Sequence, residues 1–152
     1  MDIQHLAKAS FRLKGKTAAI LTDASSFKVE VEKQVKMEIT EPGEYEIGGI
    51  SIIGLLFGSN KVFIFEIDGL RIAYLGEFKD DLSDAQVSGL GNIDILIILE
   101  GREKIIEQID PYFVITQNYQ GSLPVEKVEK FSLKKEDILE DQSTKVILLP
   151  QK

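Results

Sequence analysis

The sequence predicts an α+β fold for one domain spanning residues 1–152. Three observations carry this. "FKVEVEKQVKMEI" (27–39) alternates apolar and charged residues with period two, the mark of a half-buried strand or hairpin. Turn pairs recur at Pro42-Gly43, Gly48-Gly49 and Asp68-Gly69, each beside a short apolar run. "IDILIIL" (93–99) is a continuous β-branched run with a helix signal on either side, as expected of a strand covered on both faces.

Taken in order, "IQHLAKASFRL" reads as a strand with Ile3, Ala7, Ala9, Phe11 and Leu13 on one parity. "KGK" (14–16) turns the chain into "TAAILTD". Over 27–39, Phe27, Val29, Val31, Val35, Met37 and Ile39 share one face, broken only by Lys33, and the other is polar. "EPGEYEIGG" encloses a short strand between two turns. "ISIIGLLF" and "KVFIFEI" are separated by "GSN", and Asp68-Gly69 leads into "LRIAYLG". Ser83 with Gln86 three residues on has capping-box spacing, so "SDAQVSGLG" is a short helix ended by Gly89 or Gly91. "GREKIIEQIDP" gives Ile105, Ile106 and Ile109 one helical face and stops at Pro111. "YFVITQ" is a further strand, and the end of the chain mixes a short strand, a charged turn and a closing strand at 144–149.

Composition narrows the chemistry. The hydrophobic fraction of 43% and charged fraction of 28% are ordinary for a soluble globular protein. A net charge of −7 with scattered lysines argues against nucleic acid as a partner, because phosphate binding needs a basic face. No apolar run reaches the length of a membrane span, and the start lacks a signal-peptide pattern, so the expectation is a cytoplasmic protein without membrane contact. Cysteine is absent, which excludes disulfides and thiolate chemistry. His5 is the only histidine, so one chain cannot supply the three or four His or Cys ligands of an ordinary zinc site. A Ser-His-Asp triad would have to use His5, whose strand position reads as structural instead.

The acids of "YLGEFKDDLS" (74–83) sit where α/β enzymes place catalytic or metal-binding carboxylates: Glu77, Asp80 and Asp81 follow a strand tip. The competing reading is a loop whose acids favour the next helix N-terminus. The spacing lacks the alternation of a calcium loop. "SGLGN" follows a helix, so it is not a dinucleotide fingerprint.

In order, the segments resemble a small branch of the metallo-β-lactamase fold, the Zn-dependent hydrolases of that superfamily. "MDIQHLAKASFRLKGK" is similar to the opening strand that carries LGHSxF, and "ILTD" (20–23) to VTDP. "PGEYEIGGISIIG" (42–54) is very close to the family's phrase, and "FEIDGLRIAYLGE" (65–77) resembles the hairpin that delivers HLGD. "LSDAQVSGLGNIDILII", "IDPYFVITQNY", "SLKKEDI" and "KVILL" resemble the remainder. The resemblance implies a reduced αββα β-sandwich with helices on the outer faces.

It also implies where a zinc site would stand. The family's H-x-H-x-D-H belongs between Asp23 and Pro42, where this chain has only "ASSFKVEVEKQVKMEITE". The other ligand positions align with Lys8, Gly58, Glu77 and Asn118. The implied site positions are therefore Lys8, Asp23, Gly58, Glu77 and Asn118, all read as vestigial, with no cofactor. Lys8 would repel a cation, and the sequence suggests that it pairs with Glu77 instead. The leading expectation is a non-catalytic member that acts by binding or self-association. The alternative is a hydrolase with a rearranged, carboxylate-based metal site. Losing the ligand-bearing segment should bare sheet edge or apolar face, which points to a homodimer or higher homo-oligomer. An intact paralogue is a further partner to test.

Overall fold

The computed structural model describes residues 1–151. Its first five strands, β1 (Asp2–Ala7), β2 (Ser10–Lys14), β3 (Ala19–Thr22), β4 (Phe27–Val31) and β5 (Gln34–Ile39), form an antiparallel meander. Strands β6 (Gly43–Ile47), β7 (Ile50–Phe57), β8 (Asn60–Ile67) and β9 (Leu70–Gly76) continue antiparallel in a second sheet. Helix α1 (Asp84–Leu90) then crosses to β10 (Ile95–Ile98), which lies parallel to β9. After β11 (Glu100–Gly101), α2 (Glu103–Ile109) crosses to β12 (Phe113–Thr116), parallel to β10. Strands β13 (Asn118–Tyr119), β14 (Val125–Lys127), β15 (Phe131–Ser132) and β16 (Lys145–Leu148) complete the chain. The resulting orders are β15-β1-β2-β3-β4-β5 and β14-β16-β12-β10-β9-β8-β7-β6, with β11 and β13 paired on their own.

Two apolar layers follow from strand parity. Between the sheets, Phe11, Ile20, Phe27 and Val29 meet Phe63, Phe65, Ile72 and Ile97. On the far side of the eight-stranded sheet, Val62, Ala73, Leu96 and Ile98 meet Leu90 of α1 and Ile105, Ile106 and Ile109 of α2. Strand β10 is buried along its whole length, as its uninterrupted apolar run requires. Helix α1 starts with the predicted reciprocal cap between Ser83 and Gln86 and ends at Gly91. Helix α2 ends with Asp110 in a left-handed conformation just before Pro111.

Three expectations need correction. Residues 3–13 are a hairpin, not one strand: the chain reverses at Lys8 (φ 40°), with a bulge between His5 and Ala7. His5 keeps the parity of Ile3 and points into the core, whereas the bulge shifts the parity beyond it and leaves Ala7 exposed. In the second hairpin, a bulge between Val29 and Glu30 skips Lys36, so Val35 lies opposite Glu30 and is 55% exposed. Finally, both α-helices among the described residues cover the eight-stranded sheet, giving helix–sheet–sheet layers. The outer face of the six-stranded sheet carries Gln4, Arg12, Leu21, Lys28 and Glu38 in one cross-strand row. An Arg12–Glu30 ion pair of 3.5 Å joins the neighbouring row. That face is polar enough to stand in water without a helix, so the expected bare apolar face is not there.

Candidate functional site

The parallel strands β9, β10 and β12 end on one rim of the sandwich, where ligands bind in many parallel-sheet proteins. The rim is tied together by buried polar groups. Leu99 N donates to Gly76 O at 2.9 Å, and Thr116 Oγ1 donates to Leu99 O at 2.9 Å. Tyr74 sits beneath the rim with 2% exposure, its hydroxyl donating to Ala9 O at 2.6 Å and reaching Asp23 O at 3.1 Å. Thr22 Oγ1 donates to the same Ala9 carbonyl and accepts from Phe11 N. Burial pushes the Tyr74 phenol up to about 12, with the Asp23 and Glu77 charges adding to the rise and the Thr22 hydroxyl opposing it.

Glu77 owes its outward position to the turn that holds it. Phe78 N donates to Leu75 O at 3.1 Å, and Leu75 and Phe78 are both buried. Gly76 supplies φ 56°, which an L side chain rarely adopts, and a Cβ there would stand 3.3 Å from Tyr74 Oη. Phe78 packs edge-on against Phe57 at 6.2 Å, so the turn is anchored and Glu77 is left in solvent.

The five positions that the resemblance implies for a metal site are all exposed. Lys8 and Asp23 come to the rim beside Tyr74, through the carbonyls of Ala9 and Asp23 itself. Gly58 precedes Ser59, Asn60 and Lys61, which line a groove of about 390 Å3 with Ala24, Ser25, Leu75, Glu77 and Phe78. Asn118 lines a different groove, of about 450 Å3, with Glu100, Arg102 and Tyr119, and donates to Glu100 Oε1 at 3.3 Å. The suggested Lys8–Glu77 pair is not made: neither residue takes part in an ion pair among the described residues. The left-handed turn at Lys8 commits its carbonyl to His5, and its side chain stays in solvent.

Asp80 and Asp81 serve the start of α2. Arg102 donates to Asp80 O at 2.7 Å and pairs with Asp81 at 3.4 Å, while Lys104 pairs with Asp81 at 2.9 Å. The Lys104 hydrogen bond, with further help from Arg102, holds the Asp81 carboxyl below its ordinary range. The sequence gives no sign of the Arg102 role, since its partners lie 21 and 22 residues away.

His5 lies 1% exposed and stacks on Phe11 at 4.3 Å. Its Nδ1 lies 2.9 Å from Leu149 O and its Nε2 2.5 Å from Lys8 O. Both nitrogens thus face backbone carbonyls, one from the first hairpin and one from Leu149 just past β16, and the ring N–H donates to one of them. Among the described residues no three His, Cys, Asp or Glu side chains converge as metal ligands. The rim donors, a lysine, two separate carboxylates and an amide, do not fit Zn²⁺, which takes imidazole or thiolate in nearly all its sites.

Comparison with known proteins gives three findings. Residues 28–117 match the family model of the beta-lactamase superfamily domain. The fold is similar to the crystal structure of a Thermotoga maritima protein assigned as a Zn-dependent hydrolase of the metallo-beta-lactamase superfamily. The TM-score is 0.72 at 20% identity, covering 97% of this chain and 98% of that one. No curated protein matches the chain.

Proposed function

The chain belongs to the beta-lactamase superfamily, and from that premise we propose that it is a non-catalytic member, acting by binding or by self-association as a single domain. The observation that supports this is the state of the rim. By the resemblance, the positions the family uses for metal carry Lys8, Asp23, Gly58, Glu77 and Asn118, and the one histidine is buried with both ring nitrogens facing backbone carbonyls. A hydrolase of this type needs a bound metal to lower the pKa of its attacking water to about 7. Separate, exposed carboxylates supply no equivalent, since no three His, Cys, Asp or Glu side chains converge among the described residues. A homodimer is the simplest working form, with an intact paralogue as the other partner to test. The absence of cysteine is compatible with work in the reducing cytoplasm.

The competing reading, a hydrolase with a carboxylate-based metal site, has one feature in its favour: Glu77 stands exposed at a groove near Asp23. Assays of the purified chain on phosphodiester, lactone and thioester substrates with Mn²⁺ or Zn²⁺ separate the two. The non-catalytic reading expects no turnover above the metal-only control. Turnover that vanishes in Glu77→Ala would overturn it.

A further inference from the structure

Strand β5 ends the six-stranded sheet, pairing with β4 on one side and with no strand on the other. It is six residues long, contains neither proline nor glycine, carries the one-residue bulge at Lys36 opposite β4, and buries only Ile39. A row of unpaired backbone donors and acceptors on such an edge is a template for another strand. The other edge of the same sheet, β15, is two residues long and offers little.

An edge lysine ordinarily discourages pairing, because it would be pushed against another chain. Here Lys36 is followed two residues on by Glu38, and neither joins an ion pair among the described residues. Lys36 Nζ only donates to Gln34 Oε1, at 3.2 Å, on its own strand. In an antiparallel pairing of β5 with a second β5, centred on Met37, each Lys36 stands opposite the other chain's Glu38. A two-fold axis through Met37 thus produces two opposite-charge cross-strand pairs, which stabilise a sheet. No α-helix covers the outer face of this sheet among the described residues.

We propose that the chain dimerises by antiparallel pairing of β5 with β5 of a second copy, in the register that sets Lys36 opposite Glu38. This rests on the reading of the protein as one that self-associates, and it names the surface. In that register, Lys36→Glu sets glutamate against glutamate at both pairs, and Glu38→Lys sets lysine against lysine. Each single change leaves the fold intact, because both side chains are exposed.

Sedimentation velocity over a wide concentration range tests it, with circular dichroism to check folding. The wild type is expected to dimerise, and each single variant to dimerise about 10-fold more weakly or worse. An equimolar mixture of the two single variants is expected to form a heterodimer, because both of its pairs are again lysine against glutamate. The double variant Lys36→Glu/Glu38→Lys is expected to recover the wild-type affinity for the same reason. A wild-type dimer that neither single change weakens would overturn the β5 interface and leave self-association standing. So would single variants that fail to recover on mixing. A wild type that stays monomeric throughout would overturn both.

Discussion

Tyr74 ties three parts of the rim together with one hydroxyl, and its ionisation gives that role a measurable sign. The folded phenol is pushed up to about 12, above its ordinary value of 10.0. The folded state therefore holds the proton more tightly than the unfolded state does. The stability this confers is complete below pH 10 and is lost as pH rises through about 12, at up to about 1.4 kcal/mol per pH unit within that window. Urea unfolding from pH 9 to 12 should show that decline in the wild type, and a shallower one in Tyr74→Phe. At neutral pH the same variant should lose about 1–2 kcal/mol, because the Ala9 and Asp23 carbonyls lose a donor. The importance of Tyr74 was not legible in the sequence. "LRIAYLG" reads as an apolar strand, and the hydroxyl partners stand 65 and 51 residues away. Glu77 was legible as a residue at a strand tip, because a glycine immediately precedes it. Its isolation from Lys8 was not, since the left-handed turn at Lys8 has no glycine or asparagine to announce it.

Helices α1 and α2 differ in what holds them. Each has seven residues, too short to stand alone in water, so both depend on docking. Helix α1 buries only Leu90 and leans on its Ser83–Gln86 cap, whereas α2 buries three isoleucines and has no side-chain cap. Ser83→Ala should cost about 1 kcal/mol, and Ile106→Ala about 2–5 kcal/mol through the cavity it leaves. Chemical unfolding of the two variants would check that order; equal losses would show that α1 packs more than its burial suggests. These elements were readable because capping spacing and helical periodicity are local signals. The hairpin at 27–39 was half readable. Period two announced strand or hairpin, and the reversal falls at Glu32 and Lys33, both at positive φ. The bulge that exposes Val35 was not readable, since a one-residue slip leaves no trace in an otherwise regular alternation.

For the whole molecule, the superfamily was legible because phrases such as "PGEYEIGGISIIG" and "FEIDGLRIAYLGE" resemble the family's own and stand in its order. The layer count was harder to read. Whether a sheet face needs a helix depends on which residues point outward, and that parity was shifted by bulges in both early hairpins. With both α-helices among the described residues on one side, the sandwich brings the β9, β10 and β12 tips together at a rim whose side chains do not suit zinc. The central claim is that the scaffold has outlived its metal chemistry. It is tested most directly by titrating the purified, chelator-treated chain with Zn²⁺ in a calorimeter, wild type beside Glu77→Ala. The account predicts no saturable binding in the wild type and no difference between the two proteins. A stoichiometric site in the wild type that disappears in Glu77→Ala would contradict it.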